Sequence, residues 1–200
     1  MERQVVSVYV DAFTEQWLPQ LYVCAERTPE LLVTLTADID SANLILGIND
    51  TLKEDSASYQ ISEIEFVVTT NAQNSVTDLS FAIVQDIYSG RIHNWAQLGG
   101  DDVPVHLWAY PSGSDLNTIL LGDRNLSSLA KQAQNPGAMH AAIESDVYAI
   151  GFLPRGDILS EKDIQIIELD NDFSFPVLLT VSKSETKYTI VAECLQGADK

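Results

Sequence analysis

Positive charge is scarce in this chain. Of 200 residues only 11 are lysine or arginine, against 29 aspartates and glutamates, a net charge of −18. A surface so acidic repels phosphate backbones and anionic headgroups, which excludes nucleic acid and membrane surfaces as partners. It also opposes long-range capture of small anions, so any anion site has to work through local amides and hydroxyls. Long apolar runs are missing too: none reaches the roughly 18 residues that span a bilayer. The start, Met1 to Gln4, lacks the basic and apolar regions of a signal peptide. Histidine is rare; His93, His106 and His140 stand far apart, without metal-ligand spacing. No nucleophile elbow, phosphate-cradling glycine loop or zinc-protease helix motif is present, and nothing nominates a catalytic pair. No enzyme, metal or cofactor is therefore expected. There are only two cysteines, Cys24 and Cys194, in helix-like segments near opposite ends of the chain. They read either as two small buried hydrophobes or as a disulfide between the first and last helices.

What remains is ordinary for a globular protein: 46% hydrophobic and 20% charged residues, enough chain for one large domain or two small lobes. Val5 to Val10 is a short continuous β-branched run, as in a buried parallel strand. Asp11 follows, then a helical pattern over 13–26 with Phe13, Trp17, Leu21 and Cys24 on one face and Pro19 in or near the first turn. Strands are predicted over 31–36, 43–48 and 64–70, with 49–60 polar and turn-rich. Ser80 and Gly90 bracket a helix as N-cap and C′ residue. A strand over 105–109 leads through a turn, Tyr110 to Asp115, into another helix. Asn135-Pro136 opens a helix; strands over 149–153, 164–169 and 176–181 and a helix over 186–195 complete the chain. Strands alternating with helices imply parallel α/β sheets.

One stretch carries a resemblance. Asp86-Ile-Tyr-Ser-Gly-Arg-Ile-His-Asn-Trp95, followed by Leu98-Gly-Gly100, is similar to the segment "dIfsGkitNWselGG" of phosphate-type substrate-binding proteins of ABC transporters. Ala141-Ala-Ile-Glu-Ser-Asp-Val-Tyr-Ala-Ile-Gly-Phe152 resembles the same family's "aV…dpgaIGY" strand entry, in the same order and at similar spacing. The resemblance covers residues 66–155 and implies an α/β, type 2 periplasmic-binding fold. Its two lobes, 1–69 plus 175–200 and 70–174, would each be a mostly parallel sheet flanked by helices, joined by two hinge crossings. It further implies an extracytoplasmic solute-binding protein, monomeric, that closes on a small polar or anionic solute and delivers it to a membrane permease. Export is reconciled with the bare start if a leader has been removed, and it would permit the disulfide.

In open α/β sheets ligands lie at the carboxyl ends of strands, which nominates Asp11 to Thr14, Thr36, Asn49 to Thr51, Thr70 and Tyr110 to Asp115. The resemblance singles out Ser112, Gly113 and Ser114, where relatives place Ser-Gly-Thr at a helix start and hold the anion with backbone N–H groups and hydroxyls. The ligand set expected is Asp11, Thr14, Thr70, Tyr110, Ser112, Gly113 and Ser114. The chain departs from the family by lacking the arginine before the turn: Leu107, Trp108, Ala109 and Tyr110 stand there. Two competing readings stay open. Ser112 to Asp115 resembles a capping box, with Asp115 repelling anions from the helix start, and Asp11 reads first as an N-cap. The alternative function is a sensor or protein-interaction module that kept the fold and lost the anion site. Trp95 and Asn94 are expected to be structural; Trp108 and Tyr110 read as core or cleft wall.

Overall fold

The computed structural model describes residues 4–48, 56–111, 115–158, 162–170, 173–182 and 186–198. Its strands are β1 (Gln4–Val10), β2 (Leu31–Leu35), β3 (Leu44–Gly47), β4 (Ser56–Asn71), β5 (His106–Ala109), β6 (Lys131–Gln132), β7 (Ala149–Pro154), β8 (Ile164–Ile167) and β9 (Ser174–Ser182). Its α-helices are α1 (Leu18–Glu26), α2 (Phe81–Tyr88), α3 (Asp115–Leu121), α4 (Pro136–Ser145) and α5 (Thr186–Ala198). The chain divides into two compact units, Met1–Ile64 with Phe175–Lys200, and Glu65–Ser174.

In the first unit the strand order is β2-β1-β3-β9, followed by the first part of β4. β1 runs parallel to both β2 and β3, and β3 runs antiparallel to β9. Alternation along β1 buries Val6 and Val8 completely and leaves Val5 exposed. The helical pattern over 13–26 resolves into a 3-10 turn, Glu15–Trp17, and α1, because Pro19 at the start of α1 has no N–H to continue an earlier turn. Leu21 and Cys24 are buried on the α1 face that meets α5. Cys24 and Cys194 form a disulfide with Cα atoms 5.6 Å apart, so of the two readings of these cysteines the cross-link is the one realised.

In the second unit the remainder of β4 pairs antiparallel with β7 on one side and β8 on the other, while β5 runs parallel to β7 and to β6. Ser80 caps α2, accepting the Ile83 N–H, and Gly90 adopts a φ of +78° as the C′ residue. Asn94 and Gln97 form a reciprocal capping box on the 3-10 turn Trp95–Leu98, and Trp95, 1% exposed, donates its Nε1–H to Tyr148 O at 3.1 Å. Asn135 caps α4 by accepting the Ala138 N–H, with Pro136 behind it.

Two elements differ from the sequence expectation. β4 is 16 residues long and begins at Ser56, inside the stretch expected to be polar and turn-rich. Ser56, Ile61 and Ile64 are buried there, and Ser58 shares a 2.7 Å hydrogen bond with Thr180 of β9, so tertiary pairing overrides local polarity. β6, two residues long, has no pattern of its own and exists through its register with Trp108 and Ala109.

Candidate ligand-binding site

Register decides which nominated residues can meet. In the second unit His106 and Leu107 of β5 stand opposite Ala149 and Ile150 of β7, and Ile150 stands opposite Thr70 of β4. β5, β7 and β8 run the same way, so their carboxyl ends share one edge of this sheet. β4 runs against them and its carboxyl end, Thr70 and Asn71, lies at the other edge. Tyr110 belongs to the first edge and Thr70 does not. Thr70 is fully buried between Ile150 and Gln165, and its Oγ1 has no hydrogen-bond partner among the described residues. Sequence position alone made it look like a strand end facing ligand. The lobe boundary expected between 69 and 70 lies within the ladder of β4, whereas the compact units divide at Ile64 and Glu65.

At the carboxyl end of β5, Tyr110 is 2% exposed and donates its hydroxyl to Phe152 O at 2.9 Å. Its own carbonyl accepts from Asn117 Nδ2 at 2.8 Å, and the same nitrogen lies 3.3 Å from Pro111 O. Asn117, buried in the first turns of α3, thus pins the strand end to the helix. The sequence reading missed it, although an asparagine so near a helix start is the signal of such a back-bond. Ser112, Gly113 and Ser114 lie outside the described residues, as do Asn49 to Thr51. Trp108, just before this end, is half-buried, with Lys131 Nζ 5.3 Å from the ring centre.

In the first unit, Asp11 follows β1 and donates its backbone N–H to Leu46 O at 2.9 Å. Its Oδ1 accepts the Phe13 N–H at 2.8 Å, an Asx turn, and does not cap a helix. Thr14 is fully buried, and its hydroxyl proton is shared between Asp11 O and Leu46 O at 3.0 and 2.9 Å. The Asp11 carboxylate remains half-exposed at this strand end. Burial, and then the Asp11 charge, hold the nearby Tyr9 phenol above its ordinary pKa.

All three arginines of the second unit are engaged by carboxylates. Arg155 donates from Nε to Glu65 and from a terminal nitrogen to Glu168, both at 2.7 Å. The Glu168 and Glu65 bonds together push its pKa further up. Arg124 and Arg91 reach Asp86 Oδ1 at 2.8 and 3.3 Å. A cavity of about 470 Å³ lies within this unit between β4 and the segment after β8, but Glu65, Glu168 and Asp170 line it, a setting hostile to anions.

No family model and no curated relative matches the sequence. Solved structures do match. A Clostridium perfringens protein described as a phosphate ABC transporter substrate-binding protein, solved with bound phosphate, superposes with a TM-score of 0.75 at 18% identity, covering 94% of this chain and 91% of that one. An ABC-type phosphate transport receptor from Vibrio cholerae gives 0.69 at 16%, covering 98% and 95%. The regulatory domain of a LysR family regulator from N. meningitidis gives 0.72 at 10%, covering 97% and 94%. The chain therefore has the type 2 periplasmic-binding fold, in the form shared by phosphate-type substrate-binding proteins and LysR regulatory domains.

Proposed function

We propose that the chain is an extracytoplasmic solute-binding protein that captures a small polar or anionic ligand for an ABC importer and does no chemistry on it. The observation that carries this reading is the match over 94% of the chain to a substrate-binding protein solved with phosphate. The family-like motif from Asp86 to Gly100 supports it, as does the Cys24–Cys194 disulfide, a bond that persists in oxidising compartments. Among the described residues no helix is long and apolar enough to cross a membrane.

The ligand groups proposed are the backbone amides and hydroxyls of Ser112 to Ser114, with Asp11 from the first unit. The hydroxyls of Thr14 and Tyr110 are committed to carbonyls and serve to shape the two strand ends. Closure of the two lobes on the ligand is the proposed mechanism. With Asp11 in the set and no arginine, a neutral polar or zwitterionic solute with a hydrogen-bond donor suits the site better than free phosphate.

A second reading is a sensor module of the LysR regulatory type, favoured by the TM-score of 0.72 to such a domain. Thermal unfolding against oxyanions, amino acids and small sugars separates the two. A ligand at 100 times its dissociation constant should raise the midpoint by about 5–10 °C, and Ser112→Ala with Ser114→Ala should abolish that shift. No shift across the panel would overturn the transport reading.

A further inference from the structure

A recess lies within the first unit, beside α1. Glu15, Leu18, Pro19 and Tyr22 recur at the i, i+3, i+4, i+7 spacing of one helix face, through the 3-10 turn and α1. That stripe stands over the carboxyl ends of β1 and β2. Val8 and Leu35 are register partners and share one face of the sheet, and Val10 follows Val8 on that face. Together with Thr36 these side chains line a groove of about 480 Å³. Neither Asp11 nor Thr14 lines it; they are bonded to the Phe13 N–H and to Leu46 O.

The groove has an apolar body and one charge. Its floor at Val8 is fully buried, while its walls at Leu35 and Tyr22 remain 55% and 40% exposed. Its size falls in the range of small-molecule sites. Free polar groups are few: the Thr36 N–H is spent on Val8 O, and the Thr36 hydroxyl accepts the Asp38 N–H. A sugar would leave most of its hydroxyls unbonded there, and a carboxylate or phosphate would meet no cation. The charged side chain on the wall is Glu15, and none of the ion pairs among the described residues involves it. A wholly neutral occupant would strip water from that carboxylate and give nothing in return. An ammonium group compensates it.

We infer that this groove binds a small organic monocation, a primary amine carried on an aromatic or branched aliphatic body. The ammonium group pairs with Glu15, and the apolar body covers Val10, Leu18 and Leu35. Tyr22 offers its ring to the same ligand, as an apolar surface and as a cation–π partner. Glu15 and Tyr22 are two helical turns apart on the stripe, roughly 10 Å, about the length of an ammonium group joined to one ring by a short chain. The net charge of −18 raises the local concentration of cations and keeps anions away. This ligand class differs from the neutral or zwitterionic solute proposed above, and the inference stands whether or not that reading holds.

The test is methyl NMR of the oxidised full chain, titrated with 2-phenylethylammonium, its neutral counterpart 2-phenylethanol and the anion 3-phenylpropanoate. The ammonium ion should shift the methyl signals of Val8, Val10, Leu18 and Leu35 saturably, the alcohol should bind several-fold more weakly, and the anion should not bind. Glu15→Gln should weaken the ammonium ion about threefold to fivefold and leave the alcohol unchanged. Leu35→Trp fills the groove from an exposed position and should abolish binding of both, with an unchanged circular dichroism spectrum. If Leu35→Trp fails to fold, Glu15→Gln decides alone. The inference is overturned if no saturable shift occurs at these methyls, or if the alcohol or the anion binds as tightly as the ammonium ion. Ammonium-induced shifts that Glu15→Gln leaves unchanged overturn it equally, since they would report general attraction to an acidic surface.

Discussion

The first unit contains the chain's only cysteines and joins them into a bond between α1 and α5, across a sequence separation of 170. The second unit has no cysteine and, among the described residues, holds the four largest fully buried side chains, Trp95, Tyr88, Tyr110 and Phe152. Phe152 meets both Tyr88 and Phe173 edge-on, with ring centres 5.5 and 5.8 Å apart, and Phe81 lies 5.0 Å from Phe173. Their outer edges differ in the same sense. β2 is 5 uncharged residues, whereas β6 is 2 residues, one of them Lys131. A cross-link limits what the first unit's core must do, whereas the second unit depends on its aromatic interior; each leaves some apolar side chains in solvent, Leu129 beside β6 among them at 77%.

That contrast can be broken most severely at the disulfide. In the chain-entropy account a closed loop of this length stabilises by about 5 kcal/mol. Cys24→Ala with Cys194→Ala should lose that amount in denaturant unfolding, and hydrogen exchange should accelerate in α1, α5 and β1 more than in β4 to β8. Equal acceleration throughout would mean that the two units share one cooperative transition.

Trp95→Ala attacks the other side. It removes a fully buried indole and the Nε1 bond to Tyr148 O, and should cost about 3–5 kcal/mol. The loss should be the same with or without reductant. If reductant worsens it, the cross-link also supports the aromatic core.

The buried tyrosines give a smaller effect with a pH signature. Tyr88 donates to Trp108 O at 3.0 Å, and burial, then the neighbouring Tyr110, raises its pKa well above the ordinary phenol value. The folded protein therefore keeps this proton at alkaline pH where the unfolded chain has released it. Stability falls as pH rises above about 10. Tyr88→Phe should cost about 1–2 kcal/mol at neutral pH and flatten the alkaline decline. An unchanged decline would assign it to other groups.

Much of this was legible in the sequence, and the limit is instructive. Ser80, Gly90, Asn94 and Asn135 act on neighbours within a few residues, so their roles were readable from local spacing, and the motif from Asp86 to Gly100 led to the fold. What failed to show depended on partners far along the chain. The first half of β4 is polar and becomes a strand through β9. Thr70 looked like a ligand-facing strand end until the antiparallel register put it at the opposite edge from Tyr110. Two cysteines 170 residues apart carry no local sign of pairing. Tyr110 and Thr14 looked like available hydroxyls because the carbonyls they serve, Phe152 and Leu46, are supplied by other strands.

The mildest comparison sets one turn device against the other. Asn94 accepts from Ala96 N–H at 2.8 Å and donates to Asp102 at 3.0 Å, while Gln97 accepts the Asn94 N–H at 3.0 Å. Asp11 accepts from Phe13 N–H at 2.8 Å and is also proposed to face ligand. Each side chain bonds a backbone N–H two residues ahead, so each replacement by alanine should cost about 1 kcal/mol or less in the absence of ligand. Their responses to ligand should diverge. Asn94→Ala leaves the ligand-induced rise in midpoint intact, because its turn touches none of the proposed ligand groups. Asp11→Ala should diminish the rise for solutes carrying an ammonium or another strong donor, and relieve repulsion against anions. If Asp11→Ala and Asn94→Ala respond to the ligand panel alike, Asp11 is a turn residue only, and the ligand set contracts to the second unit.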